Sequence, residues 1–230
     1  MSLQEFSTTS AFLTSWWHAG EKAADCLGRF LKPMPAQETL PIFPLNTVLF
    51  PGGTLPLKIF EQRYLDMSTS CLRYNRPFGV CLIKEGNEVG VPAVPESVGC
   101  TAAITECDMQ QLGVLHLRAE GVQRFRILNR QVAKNGLISA EVEMLAADQQ
   151  TPLSPELRVC ATVLRLVMEK IGIEQFPPPF KLDDATWVSY RLAEVLPLKL
   201  AAKQEILEID DPVSRLQLIR KFLVQQGLLS

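Results

Sequence analysis

The spacing of apolar residues changes once along this chain, and that change orders its architecture. From Leu40 to about Ala147 the apolar residues fall in short runs with a period near two. Leu115-His116-Leu117-Arg118-Ala119-Glu120 is the clearest case, with Leu115, Leu117 and Ala119 on one face and His116, Arg118 and Glu120 on the other. After Thr151 the spacing lengthens to three and four residues and stays helical to the end. Strands first and helices second make an α+β fold and exclude a regular βαβ alternation.

Within the strand region, Leu40–Leu45 and Thr54–Phe60 are broken by Pro41, Pro44, Pro51 and Pro56, a density that predicts edge strands and bends. Gly52-Gly53 marks a tight turn between them. Residues 61–74 place Tyr64, Leu65, Met67 or Ser68, Cys71 and Leu72 on one side of a short helix. Strands follow over Phe78–Lys84, Cys100–Asp108, Val114–Glu120 continued by Val122–Asn129, and Ile138–Leu145, with Gly121 allowing a bend or bulge. Short strands with Gly and Pro corners predict a small closed or half-closed barrel, and the pattern gives no support for a parallel sheet topology.

In the helical region, Ser154-Pro155-Glu156 is a helix start and Gly172 a stop. Phe176-Pro177-Pro178-Pro179-Phe180 reads as a stiff extended linker. Further helices are expected from about Asp184 to Leu196, Lys199 to Ile209, and Asp211-Pro212 to Gln226. Asp183-Asp184 and Asp210-Asp211 stand before helices, where a carboxylate satisfies free N–H groups, so they read as caps and not as an acid/base pair. The expected division is 1–37 as an amphipathic helical extension, 38–150 as a β-rich subdomain and 151–230 as a helical subdomain. The first segment carries a stripe of Phe12, Trp16, Leu27 and Phe30 whose charges balance, which favours protein contact over a membrane surface. It is expected to pack on its own domain or to join a second copy as a homodimer, and Met34 is an alternative start.

Charge and motifs exclude several functions. The chain of 230 residues has net charge -2, with acids and bases balanced in each of the three segments, so no basic half exists to grip phosphates. Arg118, Arg124, Arg126 and Arg130 read as a solvated face. No run of about 18 apolar residues is present, so no membrane span is expected. The first fifteen residues lack a basic region, and the six cysteines include no C-x-x-C pair. Cytoplasmic thiols, with Cys81, Cys100 and Cys107 inert in apolar strands, are the natural reading. With two histidines, a zinc site is improbable; no cofactor, phosphate-binding loop or nucleophile elbow is recognisable. His116 reads as an exposed strand residue, and Glu61 with Arg63 as an ion pair fixing the helix to a strand.

Leu40-Pro41-Ile42-Phe43-Pro44-Leu45, Val48-Leu49-Phe50-Pro51-Gly52-Gly53 and Leu55 through Tyr64 together resemble the opening of the Lon protease N-terminal substrate-binding domain. The resemblance continues through Pro77–Val80, Gly121–Ile127 and the helical ending from Trp187 to Asp211, covering roughly residues 38–225. It implies a PUA-like β pseudo-barrel followed by a C-terminal helical bundle, and a role in holding polypeptide. Neither the ATPase nor the Ser-Lys peptidase of the full protease occurs in these residues, so the resemblance is to a stand-alone bacterial member without an enzyme's activity. The expected partner is therefore an unfolded polypeptide or another protein, with Phe176, Phe180, Trp187 and Tyr190 as candidate polypeptide-binding residues. Trp187 and Tyr190, three apart on one helix face, also suit core packing, and that reading stays open. An RNA-binding PUA-like module and a small-molecule enzyme are the competing functions; nucleic acid is disfavoured by the charge balance.

Overall fold

A computed structural model describes residues 37–111, 113–176 and 178–229. The helix expected within residues 1–37, and with it the dimer reading, lies outside the described residues apart from Gln37, which opens the first strand. The strands are β1 (Gln37–Leu45), β2 (Thr54–Ile59), β3 (Phe78–Glu85), β4 (Val94–Pro95), β5 (Val98–Gln111), β6 (Val114–Val132) and β7 (Ile138–Met144). The helices are α1 (Gln62–Tyr74), α2 (Arg158–Ile171), α3 (Ala185–Val195), α4 (Leu200–Glu208) and α5 (Pro212–Gln225). The fold is the expected α+β one, a PUA-like pseudo-barrel followed by a helical bundle.

The sheet runs β1-β7-β6-β5-β3-β4 and closes because β1 also pairs with β3. That closing pair is parallel, Ile42–Leu45 against Gly79–Leu82, in a sheet whose other described pairings are all antiparallel. The prolines of β1 also sit differently from an edge strand. Residues 37–42 pair antiparallel with β7, and from Ile42 onward the strand turns to β3. Each half is thus bonded on one side for most of its length, which tolerates Pro41 and Pro44 in a strand that nonetheless joins two neighbours. β2 behaves as expected: it pairs with the first half of β6, and among the described residues its other edge has no partner.

β5 and β6 are long because register shifts near Cys100/Ala102, Ile104/Glu106 and Asp108/Gln111 coil them around the barrel. Gly121 sits beside the first shift, and its chief service is closeness. A Cβ there would stand 2.2 Å from the carbonyl oxygen of Phe50, and the glycine exchanges hydrogen bonds with the 52–53 turn. Alternating residues of β3, β5 and β6, with Phe43, Tyr64 and Met67, fill the barrel. Leu164, Val188, Leu192, Ile206, Leu216 and Ile219 fill the bundle, and Val48, Phe50, Leu82 and Val98 join that second core from the barrel side.

The helix ends follow the sequence. Asp184 accepts from Thr186 N–H and Asp211 from Ser214 N–H, as caps should. Ser154 is different: its side chain makes no cap bond, and Pro155–Leu157 form a 3-10 turn that leads into α2. Gly121→Ala should lower stability by about 1–3 kcal/mol, because backbone of the 50–53 turn would have to shift. The check is the urea midpoint, which should fall without a change in slope.

Candidate functional site: a groove beside an open strand edge

The described surface is concave and apolar where β2 passes α1. Phe43 and Leu45 at the end of β1, Leu55, Leu57 and Ile59 of β2, then Phe60, Tyr64 and Val89 line a groove of about 280 Å³. Its floor is rigid because the Phe43 and Tyr64 rings stack, with centroids 4.0 Å apart. Its rim is unusual: Phe60 is 55% exposed and Val89 56%, both large apolar side chains facing water.

Local chemistry fixes each wall. Glu61 stands at the N-cap of α1 but makes no side-chain cap. Its carboxylate instead meets Arg63 at 2.9 Å, the expected ion pair. Arg63 also donates to Gly136 O at 3.1 Å and lies over the Tyr64 ring at 4.6 Å, which ties α1 to the turn before β7. Burial, more than Arg63, acts on Tyr64 and raises its pKa, so the ring stays a neutral groove wall. The loop carrying Val89 is held by Asn46 N–H, which donates to Glu88 Oε1 at 2.6 Å.

The four aromatics expected to bind polypeptide part company. Phe176 and Tyr190 are buried in the bundle core. Tyr190 is consumed by a polar junction: its hydroxyl donates to Asp148 Oδ2 at 2.8 Å, and Arg215 lies over its ring at 4.0 Å. Phe180 and Trp187 meet edge to face with centroids 6.3 Å apart, Phe180 exposed and Trp187 half-buried. Of the four, only Phe180 and Trp187 are not buried; helix spacing alone does not tell a core face from a presented one.

The junction also corrects the arginine reading. Arg124 is 2% exposed and not part of a solvated face. It pairs with Asp148 at 3.4 Å and Asp210 at 3.0 Å, and donates to the carbonyls of Leu207 and Ile209. Arg215 meets the same Asp148 at 2.9 Å. A second clamp lies alongside: Arg191 donates to Gly52 O, to Pro51 O at 2.8 Å and to Glu194 at 2.8 Å. Asp148, Arg191 and Arg215 were not singled out from sequence; an arginine inside a strongly apolar helix face is the signal that marks the two arginines, while Asp148, in a loop, carries no such signal.

His116 is exposed on β6, as expected. Cys81 and Cys100 are buried with thiol pKa values pushed well up by desolvation, whereas Cys107 is exposed and not sheltered in the sheet. Among the described residues no group of three His, Cys, Asp or Glu is placed to hold a metal ion. No described helix is long and apolar enough to cross a membrane.

Together, the closed pseudo-barrel, the bundle clamped to its 50–53 turn and the groove between β2 and α1 describe one α+β domain. Residues 39–225 match the family model described as the ATP-dependent protease La (LON) substrate-binding domain, and this chain belongs to that family. A solved Lon N-terminal domain protein from Xanthomonas campestris is 39% identical, with a TM-score of 0.69 over 80% of this chain and 98% of that one. The N-terminal domain of a Mycobacterium avium complex Lon protease shares the fold at 17% identity, TM-score 0.58, covering 80% and 97%. Lon protease of Escherichia coli K12 is 26% identical over 187 residues, 77% of this chain and 24% of that protein. Protein cereblon of Danio rerio is 29% identical over 136 residues, 57% and 31% respectively. The chain thus spans about a quarter of the length of the curated Lon proteases it matches.

The Arg191 clamp has a pH signature. Desolvation raises the Glu194 pKa to about 7, against the opposing pull of Arg191 and Lys203. A carboxyl with a raised folded-state pKa binds more protons folded than unfolded, so its contribution to stability falls as pH rises from about 4.5 to about 7. Glu194→Gln should remove that downward component, read as a flatter melting temperature against pH over this window.

Proposed function

We propose that this chain is a non-catalytic polypeptide-binding module whose groove between β2 and α1 receives an extended apolar segment of an unfolded or partner protein. The observation that carries the reading is the exposure of Phe60 and Val89 on the rim of a preformed apolar groove, beside a strand that pairs on one side only among the described residues. Unfolded chains offer the matching chemistry, aliphatic and aromatic side chains at alternate positions. Membership of a substrate-binding family supports the same reading. The groove offers hydrophobic contact and a defined floor; of the charged residues that line it, Glu61 is paired with Arg63 and Glu88 accepts from Asn46 N–H, while Lys58 stands at its edge. Nothing in it is arranged to activate water or a nucleophile.

RNA binding has less support. Arg124 is buried in internal pairs and Arg118 meets Glu106 at 3.2 Å, so two of the four strand arginines are already matched.

The test is fluorescence anisotropy with a labelled, permanently unfolded polypeptide rich in apolar segments. Phe60→Asp combined with Val89→Asp should weaken binding about tenfold or more, from the lost burial of two apolar side chains. Both positions are exposed, so the melting temperature should hold. Unchanged affinity would overturn the assignment of this groove. Purified protein is also expected neither to hydrolyse ATP nor to cleave casein.

A further inference from the structure

A second groove, of about 680 Å³, lies between α2 and the segments on either side of the proline linker. One wall is backbone. Thr151–Leu153 bridges antiparallel to Asp183–Asp184 through Pro152 and Asp184, and Leu153 N–H donates to Asp183 O at 3.0 Å. The other wall is one face of α2, with Arg158, Ala161, Thr162 and Arg165 at helical spacing, and Lys181 closes the end.

Charge in this groove is one-sided. Arg158 and Arg165 are exposed and Lys181 half-buried, and none of the three head groups has an ion-pair or hydrogen-bond partner among the described residues. The cations elsewhere that are buried, Arg63, Arg124, Arg191 and Arg215, all have carboxylate partners. The carboxylates here do not neutralise the three. Asp184 is buried, and its Oδ1 accepts from both Thr151 N–H and Thr186 N–H at 3.0 Å. Asp183 stands exposed at one lip.

We infer that this groove binds acidic stretches of polypeptide in which Asp or Glu alternates with aliphatic residues, the carboxylates meeting Arg158, Arg165 and Lys181. The floor of Pro152, Leu153, Ala161 and Leu182 takes the aliphatic side chains. Nucleic acid fits less well, because among the described residues no aromatic side chain lines the groove for base stacking and Asp183 opposes phosphate at its lip. The inference rests on the polypeptide-binding reading and adds a second contact, selective for charge, to the apolar groove at β2.

Two fluorescein-labelled peptides test it, one alternating leucine with glutamate and the other leucine with glutamine. The intact chain should bind the glutamate peptide about tenfold more tightly. Raising salt from about 0.05 to about 0.5 M should erase most of that difference, because the cations sit near the surface. Arg158→Glu with Arg165→Glu should remove the preference while leaving affinity for the glutamine peptide, and the melting temperature, unchanged. Equal affinity for the two peptides, or a preference that survives the charge reversal, would overturn the inference while leaving the β2 groove standing. A chain that binds neither peptide nor unfolded polypeptide overturns both readings. Single-stranded RNA that binds more tightly than the glutamate peptide, and loses that binding in the reversed variant, would reassign the groove to nucleic acid.

Discussion

The hold of Arg191 on the 50–53 turn is the constraint on which the rest of the architecture depends. A guanidinium from the bundle reaches the carbonyls of Pro51 and Gly52 in the barrel and is itself matched by Glu194. The turn must be glycine to allow it. Gly52 has φ of 69°, in the left-handed region, and a Cβ at Gly53 would lie 2.1 Å from Glu194 Oε1. A buried arginine whose partners are backbone carbonyls and one carboxylate is costly to leave half-made, so the turn, the helix and the glutamate stand or fall together.

That clamp and the Arg124–Asp148–Arg215 junction hold the bundle to the barrel at the 50–53 turn and at the middle of β6, and Phe50 joins the bundle core from the barrel side. The apolar groove is built beside β2, which has no second neighbour among the described residues, and α1, whose Tyr64 stacks on Phe43. Its wall residues are therefore set by elements whose positions are already fixed elsewhere. A preformed groove gains affinity because little ordering remains to be done on binding.

Much of this was legible in the sequence because the signals are local. Period-two runs located the strands, Asp184 and Asp211 declared helix starts by cap chemistry, and the ordered prolines and Gly52-Gly53 pointed to the family. What escaped reading depends on partners far away along the chain. The parallel meeting of Ile42–Leu45 with Gly79–Leu82 leaves no periodic trace, because both strands show the same apolar pattern whichever neighbour they take. Arg124 looked like surface because its burial is licensed by Asp148, a lone carboxylate in a loop 24 residues later. Tyr190 left both readings open for a related reason: helix spacing shows which residues share a face and not what covers it, and Phe176, in the proline segment, has no periodicity to read at all. The rim residues Phe60 and Val89 stand outside any strand or helix, where periodicity has nothing to say.

The double pairing of β1 also sets a timetable for folding. Its first half meets β7, about a hundred residues downstream, while its second half meets β3 through four residues. On the ribosome, β1 and β3 emerge early but share only a short parallel ladder, too little to hold a barrel alone. Closure waits until β7 has left the exit tunnel, so the opening strand of the domain is the last to gain its full set of neighbours. Until then the apolar residues of β1 are exposed in an unfinished barrel, and a chain whose proposed task is to hold unfolded polypeptide passes through the same condition as its own clients.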